Sequence, residues 1–324
     1  MSFQFDAQTR RQVKKECRAH VWNNLGRCIG IQVLYTVPYL LLAVIMIVTV
    51  SGGVFALLLA GYTDQYLLSR AVSAGLNGLW IVLMIMLVIT GPLQYGLMRF
   101  YIGLQRGEEP GISTLFQAFT SLRALWTGIK MVFCIFLRSF LWMIVPTVIF
   151  IFVLLSVMMQ SMVTFQMPSD GLIIGIVAVY VLAVLLIGVK LLAYEAGWVV
   201  LYDQPNSGVW SATAQGARAF RGQYGRLLWF VLTFAGWYVL LLGSSRLCLL
   251  LGEIGYDLLG NGMGLMVYLA SVVASLCLSV VLGGFVSAYY MTSFFKIYEK
   301  LAAPAWQPPV DDQPESQDQG DTQL

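Results

Sequence analysis

Six long apolar runs separated by short polar stretches dominate this chain. Taken as helices they cover about 28–50, 78–98, 129–155, 171–193, 227–251 and 264–292. Each is near or above the roughly 20 residues a helix needs to cross the hydrocarbon core of a bilayer, where backbone polar groups must be paired within the segment. The pattern predicts an all-α, polytopic transmembrane helix bundle of six spans. Its first boundary is ambiguous, because apolar character persists from Cys28 to Tyr62 and is broken only by Ser51-Gly52-Gly53. Residues 54–61 are too short for a separate crossing, so 51–77 reads as an extension of the first helix or as a re-entrant or interfacial segment. Gln160, Gln166, Pro168 and Asp170 mark 156–170 as a loop.

A second pattern precedes spans one, three and five. Val13, Cys17, Val21 and Leu25 recur every four residues beside Arg10, Lys14 and Arg18. Ile112, Leu115, Phe116, Phe119 and Leu122 form an apolar stripe opposite Ser113, Gln117, Thr120 and Arg123. Trp210, Thr213, Ala217, Phe220 and Tyr224 form a third, opposite Gln215, Arg218 and Arg221. Such amphipathic helices are expected to lie flat at the headgroup level. With the similar entries into the odd spans, they suggest three helical hairpins of one pattern, although any six-span protein with basic loops has some of this character.

Charge orients the bundle. Arg10, Arg11, Lys14, Lys15, Arg18, Arg27, Arg99, Arg106, Arg123, Lys130, Lys190, Arg218, Arg221, Arg226, Lys296 and Lys300 all fall on one side of the expected spans. Only Arg70 and Arg246 fall on the other, and Arg138 lies inside span three. Lys and Arg are retained on the cytoplasmic side during insertion, so both termini are expected there. The segment 1–27 then reads as a cytoplasmic basic amphipathic piece, 28–301 as the membrane domain, and 302–324, Pro- and Gln-rich with five acids and no base, as a disordered acidic cytoplasmic tail. The first apolar run is too long for a signal peptide. A basic face beside a membrane fits anionic lipid headgroups, a membrane protein being a second possible partner, and gives no reason to invoke nucleic acid.

Composition agrees: 59% of residues are apolar and 11% charged, against roughly 25% charged in soluble domains. The five Cys show no CxxC pair and read as small buried apolar residues. There is one His, His20, and no HExxH, GxSxG or phosphate-loop pattern, so no enzyme, metal or cofactor is expected.

Several residues stand out against this background. Arg138, about two turns inside span three, is either an anion or substrate contact in the bundle interior or a side chain reaching back to the headgroups. Glu195, near Lys190 at the inner end of span four, is expected to pair with Arg138, Arg218 or Lys190 and so to fix the docking of segment 207–224. Ser271, Ser275, Ser279, Gly283 and Ser287 share one stripe of span six, either a packing face for another helix or a polar ladder along a water path. Gly171 and Gly175 offer a second small-residue face. Pro38, Gly91-Pro92 and Pro146 are expected to break or kink spans one to three.

Short motifs from Gly91 to Leu242 add a resemblance. They are Gly96 and Tyr101, Arg106-Gly107-Glu108, Leu115-Phe116-x-x-Phe119, Leu141-Trp142 with Pro146, and Ala193-Tyr194…Leu201-Tyr202-Asp203-x-Pro205. Ala212, Arg218, Gly222 and Phe234-x-Gly236-Trp237, with Thr233 in a Ser place, continue the series. The start (Val13-Lys14…Cys17-Arg18…Trp22) and the end (Tyr290…Phe294-Phe295) match more faintly. In these motifs the chain resembles the bacterial integral membrane family called domain of unknown function 975, departing from it at Gln215–Gly222 and at Thr147. The resemblance implies a multi-span protein of the bacterial inner membrane and transfers no chemistry. The residues therefore point to a non-enzymatic protein acting through lipid or protein contacts in envelope assembly or maintenance, or alternatively to a transporter or channel for a small or lipid-like solute.

Overall fold

The computed structural model describes residues 7–59, 65–164 and 169–302. All regular structure among them is helical. Helices α1 (Ala7–Asn23), α2 (Leu25–Leu59) and α3 (Gln65–Gln105) come first, followed by a 3-10 helix over Ile112–Thr120. Then come α4 (Leu122–Thr164), α5 (Asp170–Glu195), α6 (Gly197–Asp203), α7 (Val209–Ala219), α8 (Tyr224–Leu232) and α9 (Ala235–Ala302). Six segments are long and apolar enough to cross a membrane: Leu25–Ile45, Trp80–Gln105, Leu122–Thr164, Asp170–Asp203, Tyr224–Gly260 and Gly262–Ala302. Each overlaps one predicted span, and the chain is by this measure a multi-pass membrane protein.

The helices exceed the predictions at their ends. α2 continues through Ser51-Gly52-Gly53 to Leu59, and α3 begins at Gln65. The expected loop at 156–170 is helical as far as Thr164, because a polar side chain leaves the backbone ladder of a helix intact. Pro38, Pro92 and Pro146 do not interrupt their helices. The break falls instead within α9 at Gly260, with φ 74° and ψ −177°, which turns its first limb into its second. The tail after Ala302 lies outside the described residues.

Because the long helices alternate in direction, the start of α2 and the ends of α3, α5 and α9 meet at one end of the bundle. Lys296 near the end of α9 pairs with Glu16 of α1 at 3.0 Å, so both ends of the described chain meet there. This end carries nearly all the predicted basic side and holds the packed core. Phe220 stacks on Phe294 (ring centroids 5.5 Å apart, interplanar angle 9°), Phe230 on Tyr290, and Phe234 meets Tyr289. Away from it α4, α5 and both limbs of α9 present apolar side chains outward, Phe152 at 72% and Val163 at 77% exposure. Apolar surface continuous over several turns fits helices that face a membrane.

The segments before the odd spans pack against the basic end. α1 buries Val13, Cys17 and Val21, the predicted stripe. The second segment departs from expectation. It winds as a 3-10 helix, so residues three apart share a face: Leu115 and Ala118 turn inward, while Phe116, Phe119 and Leu122 face outward. Gly96 permits this contact, since a methyl there would overlap the carbonyl of Leu115. α7 buries Ala212, Thr213 and Gly216 and leaves Trp210 exposed.

Candidate functional site

The basic end is knit by a hub at Arg106, just past the end of α3. Its Nη1 and Nη2 reach the two carboxylate oxygens of Asp203 at 2.7 and 3.1 Å, and its Nε reaches Glu299 Oε1 at 2.7 Å. Gln105 donates to the other oxygen of Glu299 at 2.6 Å. Burial would lower the pKa of Arg106, but the bonds to Asp203 and Glu299 outweigh it and raise the value, so the cation is fixed. The guanidinium groups of Arg99 and Arg106 each lie 4.9 Å from the centroid of the Tyr202 ring, and the Tyr202 hydroxyl donates to Glu108 at 3.0 Å. Gly107, at φ 81°, makes the turn that lets Arg106 point inward while Glu108 folds back. One arginine thus ties α3, α6 and the end of α9.

Lys14 makes a second tie. Its Nζ donates to Thr233 Oγ1 at 2.9 Å, at the break between α8 and α9, and sits 4.3 Å above the ring of Phe234. Burial first, and Arg10 second, hold its pKa below the ordinary lysine value. Neither hub nor tie was singled out from the sequence as a site. The available signal lay in the motifs themselves, which include Arg106-Gly107-Glu108, Tyr202-Asp203, Lys14 and Thr233.

Two of the predicted polar residues, Arg138 and Lys190, fall at a seam between α4 and α5. Arg138 lies over the rings of Tyr194, at 4.7 Å, and Trp210, at 4.2 Å, and its Nη2 donates to the Trp210 carbonyl at 3.1 Å. One turn along, Lys190 of α5 lies 3.2 Å above the ring of Trp142 on α4. The two cations therefore form successive rungs between antiparallel helices, each facing an aromatic quadrupole. Deeper still, Phe150 stacks on Tyr180 and Thr147 shares a hydrogen bond with the Tyr180 hydroxyl.

The expected ion pair of Glu195 does not form. Glu195 Oε2 accepts a bond from the indole nitrogen of Trp198 at 2.9 Å, within its own chain segment. Arg138 turns to Trp210, Lys190 to Trp142, and Arg218 is exposed on the far face of α7. The docking of α7 against α4 and α5 rests on Arg138 alone among these four. Its Nε, also buried, has no partner among the described residues.

The serine stripe faces the other limb of its own hairpin. Ser275 donates to the Ser245 carbonyl at 3.2 Å, Ser279 and Ser245 share a hydroxyl bond, and Ser271 lies against Gly252. Gly283 and Ser287 are half-buried, and it is Gly284 that comes close to α2 at Cys28 and Gln32. Gly171 and Gly175 border an apolar groove of about 600 Å³ with Pro146, Phe150 and Tyr180. Among the described residues no three His, Cys, Asp or Glu side chains converge as a metal site.

Compared with family models, with curated proteins and with solved structures, the chain finds no match.

Proposed function

We propose that this is a non-enzymatic inner-membrane protein that holds anionic lipid at its basic end and serves envelope assembly or maintenance. In this reading it is a bacterial protein related to the domain of unknown function 975 family, on the strength of the short motifs alone. Both termini and the basic end face the cytoplasm, and α1, the 3-10 helix and α7 lie in the inner headgroup layer.

One observation carries the reading. Trp22, Trp126, Trp210 and Trp229 are all outward-facing at the basic end, which also exposes Arg123, Lys130, Arg221 and Arg226. Tryptophan with an exposed ring favours the membrane–water boundary, and cations beside it attract the negative inner leaflet. Two cations deeper in the bundle, Arg138 and Lys190, are occupied by aromatic rings. Transport has less support: Arg138 closes against Tyr194 and Trp210, and the serine stripe against Ser245 and Gly252, so neither lines a shared path.

The test is purification of the full chain with its native lipid, followed by lipid identification. Enrichment of anionic over zwitterionic lipid relative to the bulk membrane is the expected result. Lipid of bulk composition, together with a small solute that raises the unfolding temperature reproducibly, would favour transport and end this proposal.

A further inference from the structure

A cavity of about 610 Å³ lies at the basic end between the first turns of α4 and the segment joining α6 to α7. Arg123, Trp126 and Lys130 line one wall, and Asn206, Ser207 and Gly208 the other. No carboxylate is among its lining residues. The cations are placed by helix periodicity: positions 123, 126 and 130 follow one another at three and four residues and share a face of α4. Arg123 is steadied by a bond from Nη2 to Asn206 Oδ1 at 2.6 Å, while Lys130 is exposed with no ion pair among the described residues. Opposite them α7 begins at Gly208 without a side-chain cap, so the positive end of its peptide dipoles adds to the same field.

We infer that this cavity binds the phosphate of one anionic phospholipid, with Arg123 and Lys130 as its counter-charges and Trp126 packed against the glycerol region. The inference rests on the proposed function and names the site within it. Charge complementarity selects an anion, and the surface next to the cavity selects a lipid. The same face of α4 continues from Lys130 to Phe133 and Phe140, both outward-facing. Ten residues of helix span about 15 Å, half of a hydrocarbon core about 30 Å thick, so an acyl chain from a phosphate at Lys130 runs along this aromatic strip to the bilayer centre. A soluble anion has no use for that strip.

The experiment is native mass spectrometry on the delipidated full-length protein, titrated with phosphatidylglycerol, with phosphatidylcholine, and with phosphatidylglycerol in the presence of millimolar inorganic phosphate. The wild type should take up phosphatidylglycerol first and keep it in phosphate. Arg123→Gln and Lys130→Gln should each weaken that first binding about fivefold, the effect of one cation near a charged lipid surface. Arg11→Gln and Lys15→Gln, at exposed positions of α1, should change it less than about twofold. Lys130→Glu, at an exposed position, keeps the test decisive if loss of the Asn206 bond disturbs folding of Arg123→Gln. Equal loss at Arg11 or Lys15, or none at Arg123 and Lys130, overturns this site while leaving a generally lipid-binding basic end. Equal uptake of phosphatidylcholine by the wild type overturns both. Displacement by inorganic phosphate identifies a free anion and overturns the lipid assignment.

Discussion

Replacing Arg106 by Gln keeps the length of the side chain's start and removes its charge, so it isolates the three bonds that join α3 to α6 and α9. The side chain is 27% exposed, and those of Asp203 and Glu299 are 33% and 30% exposed. Breaking a fully buried pair costs about 3–5 kcal/mol, and an exposed one less than about 1 kcal/mol. Partial exposure with two-pronged geometry at 2.7 and 3.1 Å places Arg106→Gln between them, at about 2 kcal/mol. Asp203→Asn and Glu299→Gln should each lose about half of that, and adding either to Arg106→Gln should lose little more, because the partner is already gone. Arg106→Lys should recover only part, since an ammonium cannot reproduce the fork. Equilibrium unfolding of the purified protein in one detergent measures the energies. Hydrogen exchange over 199–203 and 296–302 shows whether those segments loosen first. Unchanged stability in Arg106→Gln, or full recovery with Lys, would refute the argument.

Three further outcomes follow from the packing. A side chain at Gly96 must displace the Leu115 backbone, so Gly96→Val should lose about 3 kcal/mol or more, whereas Gly188→Ala, with open space around it, should be neutral; accumulation in membranes and unfolding midpoint report both. The bond from Lys296 holds the Glu16 carboxyl below its ordinary pKa. The stability this gives is present above the ordinary carboxylate value and is lost as pH falls through the lowered one, so acid should loosen α1 from α9 in the wild type and less so in Glu16→Gln. Glu195 accepts a bond from Trp198 and makes no ion pair, so Glu195→Gln should retain the wild-type unfolding midpoint while Glu195→Leu falls by about 1 kcal/mol. A large loss in Glu195→Gln would mean that its charge is needed.

The spans were legible in the sequence because the bilayer imposes a length on any apolar helix, and α1 was legible because Val13, Cys17 and Val21 keep one period throughout. The segment at 112–120 departs from its predicted stripe because it winds as a 3-10 helix against Gly96, which turns Leu115 inward and Phe116 and Phe119 outward. Ends of helices were underestimated at Ser51-Gly52-Gly53 and at Gln160, where a polar or small residue is compatible with an unbroken helix. The partners of Arg106 lie 97 and 193 residues away, a separation no local pattern encodes. Glu195 lacks the expected cation for the opposite reason: those near it in sequence or span, Arg138 and Lys190, face aromatic rings instead. Within the α4–α5 seam, tryptophan and tyrosine rings take the place that carboxylates hold around Arg106.

The orientation of the basic end underlies the functional reading, and cysteine accessibility measures it most directly. In a variant lacking the five native cysteines, Gln204→Cys marks the basic end and Ser169→Cys the opposite one, both at exposed positions. With a membrane-impermeant maleimide added to intact cells, the account predicts labelling at position 169, and at position 204 only after the cells are broken. Labelling of 204 in intact cells with 169 protected would contradict it.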